Sequence, residues 1–307
     1  MDEKRAPSII SLGALNVDFV MELGPDKVGK KRMGRQISIN VGGPGSNQSI
    51  AAVRSGVPTA IVGRIGNDAF GRQIRDTLQA EHVDCRFLIE MEHVHSGLAT
   101  IIVEEGHENV FIDFLGSNFK LDRRDIDSCK DAVADSSLVM IHMGPSSMDV
   151  SAYMAETANR CHTRVLVTPN VTASVPDALW ENVDYLVMNI PQAAALCGLK
   201  DESPKTARIA AGMMSERVRG AVVIHMDNYG VLTAENGILT TLDTAASCRI
   251  ADVSGATDFF TGVFGAELVK GSSVQTAAIK AHRAALRCME KVGVYESFPS
   301  KEYLKSL

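Results

Sequence analysis

The chain has 307 residues, 31 of them basic and 37 acidic, for a formal net charge of −6, and 45% of its residues are apolar. That length can bury a substantial core as one large α/β domain or two smaller ones, and the apolar content excludes disorder. The acidic balance gives neither nucleic acid nor an anionic membrane a reason to bind. Residues 1–5 run directly into a strand-like Ile9-Ile10, which predicts no leader peptide and a cytoplasmic location. Six cysteines (Cys85, Cys129, Cys161, Cys197, Cys248 and Cys288) lie far apart with no C-x-x-C pair, the pattern of reduced thiols rather than of a zinc site. In chain order, short apolar runs at 8–12, 59–62, 138–141, 164–167, 185–188 and 221–225 read as strands. Periodic segments at 71–80, 150–161 and 206–217 read as helices. The alternation predicts a parallel sheet covered by helices on both faces, with ligands beyond the carboxyl ends of the strands. Residues 17–40 and 97–114 break the pattern and read as hairpin inserts within one domain spanning 1–307.

Small residues mark the candidate chemistry. Asn16 and Asp18 follow the first strand; a carboxylate accepts from vicinal hydroxyls and an amide both donates and accepts, so the pair suits a polyol, although an Asn/Asp turn after a strand has the same spelling. Gly42, Gly43 and Asn47 precede a helix that stops at Gly56, either a plain turn or a close backbone approach to a ligand. Far downstream, Ala251-Asp252-Val253-Ser254-Gly255-Ala256-Thr257-Asp258 runs into an apolar helix carrying Phe259, Phe260, Val263, Phe264 and Leu268, with Lys270-Gly271 as its stop. The plain reading is a small-residue turn capped by Asp258. The functional one is an anion site at unpaired N–H groups and a helix dipole, with Asp258 beside it as a base for an attacking hydroxyl.

These segments, with Val62-Gly63-Arg64-Ile65-Gly66-Asn67-Asp68-Ala69-Phe70-Gly71, resemble the PfkB carbohydrate kinases, the ribokinase branch in particular, in order along essentially the whole chain. The resemblance implies a ribokinase-like three-layer α/β/α fold, a mostly parallel central sheet, and a small β-sheet lid built from the inserts at 17–40 and 97–114. Two lids often pair, so a homodimer is implied. Gly106-His107-Glu108-Asn109 and Leu115-Gly116-Ser117-Asn118 also look ribokinase-like. Asn16, Asp18, Gly42, Gly43 and Asn47 would bind the sugar. Asp258 would be the general base, and Gly255, Ala256 and Thr257 would form the anion hole with it. Asn189, Gln192, His225, Asp227, Gly230 and His282 would meet ATP and Mg²⁺, His282 near the adenine; for His282 alone, helix packing is the other account. Asp252, Ser254, Gly293 and Ser297 would surround K⁺.

Departures fall mostly on the nucleotide side. Thr257 stands where the family has glycine, and a positive φ there would cost ~1–3 kcal/mol. Gln192 replaces an acid that helps organise Mg²⁺, and Asp227 puts bulk and negative charge where a glycine meets phosphate. Thr168-Pro169-Asn170 lacks an acid often present. On the acceptor side Pro44 replaces a lysine, and Met143-Gly144-Pro145 lacks a ribose-binding glutamate. The expected activity is ATP-dependent phosphorylation of a hydroxyl on a sugar or sugar-like small molecule. One alternative is an impaired kinase-fold protein that binds a sugar or a partner; another is a nucleoside kinase.

Overall fold

A computed structural model of the chain describes residues 6–28, 31–104, 110–170 and 175–307; Gly106-His107-Glu108-Asn109 lies outside them. The strands are β1 (Ile9–Leu12), β2 (Asn16–Val28), β3 (Lys31–Gly42), β4 (Thr59–Gly66), β5 (Asp84–Met91), β6 (Gly97–Val103) and β7 (Val110–Phe114), followed by β8 (Leu138–Met143), β9 (Arg164–Pro169), β10 (Tyr185–Asn189), β11 (Ala221–His225), β12 (Val231–Glu235) and β13 (Ile238–Leu242). Nine form one sheet in the order β13-β12-β11-β10-β9-β8-β1-β4-β5. Every pairing from β11 across to β5 is parallel, and only the β11–β12 and β12–β13 pairings at the far edge are antiparallel.

A parallel sheet buried on both faces needs unbroken apolar strands. Accordingly β1, β8 and β11 are buried along their whole length. Successive residues feed opposite cores: Ile9 and Ile61 pack on one face, Ile10, Leu12, Ala60 and Val62 on the other. Helices Pro44–Arg54, Ala69–Ala80, Ala256–Val269 and Val274–Met289 cover the first face. Arg123–Ser128, Lys130–Asp135, Met148–Arg160, Ile190–Cys197 and Pro204–Ser215 cover the second. The result is the expected three-layer α/β/α arrangement. No helix among the described residues is long and apolar enough to cross a membrane.

The inserts form a second sheet, in the order β3-β2-β6-β7, in which the two antiparallel hairpins are joined by a parallel β2–β6 pairing. Alternation divides it cleanly. Asp18 shares a row with Asn40, Ala99 and Asp113, whereas Phe19 shares one with Ile39, Thr100 and Ile112 on the opposite side.

Two edge elements escape the apolar-run reading. β5 mixes half-buried and exposed residues around a single buried one, Leu88, and charged residues flank its short apolar stretch, so it carries no long hydrophobic run. β12 and β13 are joined by Asn236-Gly237, both with positive φ, 52° and 76°. Asn-Gly is the usual spelling of a two-residue hairpin turn, and it marks this hairpin in the sequence.

Candidate active site

The helices Pro44–Arg54 and Ala256–Val269 pack side by side, and Gly262 makes their approach possible: a Cβ there would overlap the Gln48 carbonyl and crowd the Ala51 methyl. The crossing brings together side chains 211 residues apart. Asn47 donates from Nδ2 to Asp258 Oδ2 at 3.0 Å, and Gln48 donates from Nε2 to Asp258 Oδ1 at 3.3 Å. Two amides thus orient the carboxylate. Gln48, which the motif reading passed over, follows Asn47 in the first turn of its helix. Gly43, at φ +83°, caps that helix.

From the lid, Asp18 lies against Gly42, where any Cβ would overlap its carboxyl group. It is 7% exposed, and its Oδ1 finds no partner among the described residues. Burial foremost, then the charges of Asp113 and Asp258, push its pKa up to about 7. Asn16 is held by Asn118, which donates to Asn16 Oδ1 at 2.9 Å and to the Leu15 carbonyl at 3.0 Å while accepting from the Leu15 N–H at 2.9 Å. Asn40 and Asp113 share the Asp18 row and were not singled out, because cross-strand pairing is not written in local sequence. His142, buried near the end of β8, shows no ligand spacing in the sequence and is set aside there with the other scattered histidines; burial lowers its pKa, and Asp258 partly opposes the shift.

At the start of the Ala256–Val269 helix, Gly255 takes the left-handed conformation at φ +73°. The Ala256 N–H is spent on the Val253 carbonyl at 3.2 Å, which removes Ala256 from the expected anion hole. The N–H groups of Gly255, Thr257 and Asp258 make no hydrogen bond among the described residues, and they are backed by the helix dipole. Thr257 carries no strain, because the positive φ falls on Gly255 and not on it. Its Oγ1 accepts from Asn189 Nδ2 at 3.2 Å, tying the helix start to the end of β10.

The nucleotide-side expectations fare unevenly. Asn189 and Gln192 form a reciprocal cap, each side-chain oxygen accepting the other's backbone N–H at 2.9 Å. The oxygen of Gln192 thus holds the start of its own helix, with one of its two lone pairs engaged. His225 is 1% exposed and His282 fully buried. Their rings lie 5.3 Å apart, and His225 also packs on Phe260 at 5.1 Å. Neither side chain reaches a surface where it would touch a nucleotide, so both belong to the interior. Burial, with a smaller contribution from His282, pushes the His225 pKa down to about 3. Asp227 sits at φ +48° beside Gly230 at φ +90°; aspartate is among the few side chains that tolerate the left-handed region. Its pKa is raised by burial.

Asp252 closes the remaining group. Its Oδ1 accepts from the Ser254 N–H at 2.9 Å and its Oδ2 from the Gly293 N–H at 3.0 Å, joining the two loops. Ser297 Oγ donates to the Val294 carbonyl at 2.7 Å. No cluster of three or more His, Cys, Asp or Glu suited to a metal ion occurs among the described residues.

A parallel sheet under a two-hairpin lid, with a half-buried acid at the start of a helix, defines the ribokinase-like fold. The structure of Arabidopsis thaliana ribokinase complexed with ribose and ATP superposes with a TM-score of 0.86 over 98% of each chain at 21% identity. The chain belongs to the pfkB family of carbohydrate kinases, whose family model matches residues 6–301. It is similar to the ribokinases of Mus musculus, 26% identical over 98% of this chain and 95% of that protein, and of Haemophilus influenzae, 24% identical over 95% of each. The protein is therefore a carbohydrate kinase, a phosphotransferase.

Proposed function

We propose that the protein transfers the terminal phosphoryl group of ATP to a hydroxyl of a sugar or sugar-like small molecule, with Asp258 as general base and the Gly255, Thr257 and Asp258 N–H groups as the anion hole. One observation carries this reading. Asp18 Oδ1, Asn47 Oδ1 and Gln48 Oε1 are buried without partners among the described residues, and two of these residues hold Asp258. Buried acceptors demand donors, and the hydroxyls of a polyol supply them. A carboxyl with a pKa of about 7, as Asp18 has, accepts from a hydroxyl when ionised and donates to one when protonated.

Bound ATP supplies the electrophilic phosphorus and the leaving group, with Mg²⁺ neutralising its charge. Asp258, oriented by Asn47 and Gln48, takes the proton from the attacking hydroxyl. The unpaired N–H groups at the helix start stabilise charge on the transferred group. The lid sheet, with Asp18 on its inner face, covers the acceptor and excludes water. The residues present fit a Mg²⁺ that enters on the triphosphate rather than one held by protein carboxylates, since Asn189 and Gln192 contribute only neutral amides. Asp252, Ser254, Gly293 and Ser297 would hold K⁺ between two loops that Asp252 already joins.

Calorimetric titration with Mg·ATP in K⁺ buffer, followed by ADP release across pentoses and hexoses, tests the proposal. Asp258→Asn is expected to lower turnover by a factor of ~10²–10⁴ while sugar affinity holds within a few-fold. Unchanged turnover would sink the general-base assignment. Absent ATP binding alongside clear heat from a sugar would favour the impaired, binding-only alternative.

A further inference from the structure

The wall behind the anion hole is built by residues 293–299, which follow the Val274–Met289 helix and enclose the Tyr295–Ser297 turn. This segment meets the catalytic stretch at three places. The Gly293 N–H donates to Asp252 Oδ2 at 3.0 Å. Gly255 lies so close to Val294 and Phe298 that a Cβ there would overlap a Val294 methyl. The Phe298 ring packs on Phe259, with 4.7 Å between centroids. Residues 252, 255 and 259 bracket the N–H groups of Gly255, Thr257 and Asp258, so a shift of the segment would carry the anion hole with it.

Arg54, the last residue of the Pro44–Arg54 helix, clamps this segment from outside. Its Nη1 donates to the Phe298 carbonyl at 3.0 Å and to the Pro299 carbonyl at 3.2 Å. Its Nε and Nη2 form a fork on the two carboxylate oxygens of Glu81, just past the Ala69–Ala80 helix. Tyr295 completes the cluster. Its hydroxyl donates to Glu81 Oε1 at 2.7 Å, and its ring centroid lies 5.4 Å from the guanidinium carbon. The Arg54 and Glu81 side chains are only 17% and 15% exposed, so solvent ions screen the pair little. A planar guanidinium engages a carboxylate and two carbonyls at once, which a lysine ammonium cannot do in this geometry.

The place of Arg54 on its helix gives the clamp its meaning. The same helix carries Asn47 and Gln48 near its start, where they orient the Asp258 carboxylate. One helix therefore grips both halves of the chemistry: the base through its first turn, and the anion hole through its last residue and the 293–299 segment.

We propose that Arg54 is a positioning residue for phosphoryl transfer, holding the 293–299 segment by the Phe298 and Pro299 carbonyls. Glu81 and Tyr295 fix its guanidinium for that task. The Gly255, Thr257 and Asp258 N–H groups then stay where charge develops on the transferred group. Arg54 stands at the opposite end of its helix from Asn47, so its effect falls on turnover and not on sugar binding. The inference rests on the reading of those N–H groups as the anion hole.

The test measures ADP release and calorimetric affinities with the sugar, from a panel of pentoses and hexoses, that the wild-type protein turns over fastest. Arg54→Ala and Arg54→Lys, each checked for native melting, are expected to lower kcat by ~10–10²-fold, the effect of displacing catalytic groups by about 1 Å. Affinities for the sugar and for Mg·ATP should hold within about twofold. Low-millimolar guanidinium chloride should raise the kcat of Arg54→Ala several-fold and leave the wild type unchanged. Guanidinium weakens folded structure, so a merely structural arginine would not be rescued by it. Should Arg54→Ala fail to fold, Arg54→Lys decides by the split between kcat and affinity. A kcat within about twofold of wild type, a sugar affinity that falls in step with kcat, or a folded Arg54→Ala that guanidinium does not rescue overturns the role of Arg54 while the kinase reading stands. A wild-type protein that releases no ADP with any sugar of the panel removes the anion-hole reading, and this inference with it.

Discussion

Asp18 shows how an ordinary carboxyl becomes a sensitive part of this site. Lid packing shuts out water, and Asp113 and Asp258 oppose a further negative charge, so the folded protein holds the Asp18 proton up to about pH 7 against a reference value of 3.8. Between those values the native state binds a proton that the unfolded chain has released. The sign follows: the contribution is fully present below about pH 4 and is lost as pH rises through about 7. Thermal melts of the free protein are expected to show Asp18→Asn gaining stability over wild type as pH rises from about 4 to about 7. Parallel melting curves across that window would mean the proton is not held there. The site departures weigh less than their spelling suggests. Thr257 is helical, and its hydroxyl accepts from Asn189, so a β-branched residue in the glycine position leaves the neighbouring N–H groups usable. His225 and His282 face each other inside the protein, which for His282 is the helix-packing account and for His225 departs from the expected nucleotide contact.

The pairing of the Pro44–Arg54 and Ala256–Val269 helices is the mechanical basis of the active site, because it alone sets Asn47 and Gln48 against Asp258. Gly262 is the contact point. On helix propensity alone, Gly262→Ala would stabilise by about 1 kcal/mol. Overlap of the new methyl with the Gln48 carbonyl reverses that sign, and a net loss of ~1–3 kcal/mol is expected, read as a lower urea midpoint with turnover reduced. A raised midpoint would show that the helices are not in close contact there. The same elements show what local sequence could carry. The central strands were legible because burial on both faces writes them as continuous apolar runs, as in β8 and β11. β5 was missed because it mixes charged and apolar residues, although Asn236-Gly237 did spell the β12–β13 hairpin.

The lid gives the molecule two unlike surfaces. Its inner face carries Asp18 and Asp113, and its outer face leaves Ile37, Ile39, Val110 and Ile112 each 44–55% exposed. An exposed apolar patch on a sheet suits an interaction surface, and we propose a second copy of the lid as its partner, because a twofold contact places like against like. Light scattering is expected to give twice the 33.0 kDa chain mass, and Ile39→Glu with Ile112→Glu should return the protein to the monomer. A monomeric wild type at micromolar concentration would overturn the lid-paired dimer.

The amino-acid sequence by itself determined the layered α/β architecture, the two inserts and, of the polar residues around Asp258, Asn47 and Asp18. Each depends on local patterning: period-two or period-3.6 burial, small residues at turns, and acids at helix starts. Only the tertiary structure decided which of those residues meet. Asn47 and Gln48 reach Asp258 because two helices pack across a glycine; the Ala256 N–H is lost to the Val253 carbonyl, and Gln192 caps its own helix. Arg54 grips the Phe298 carbonyl across 244 residues of chain. A contact of that span has no local signature, so it exists only once the chain has folded.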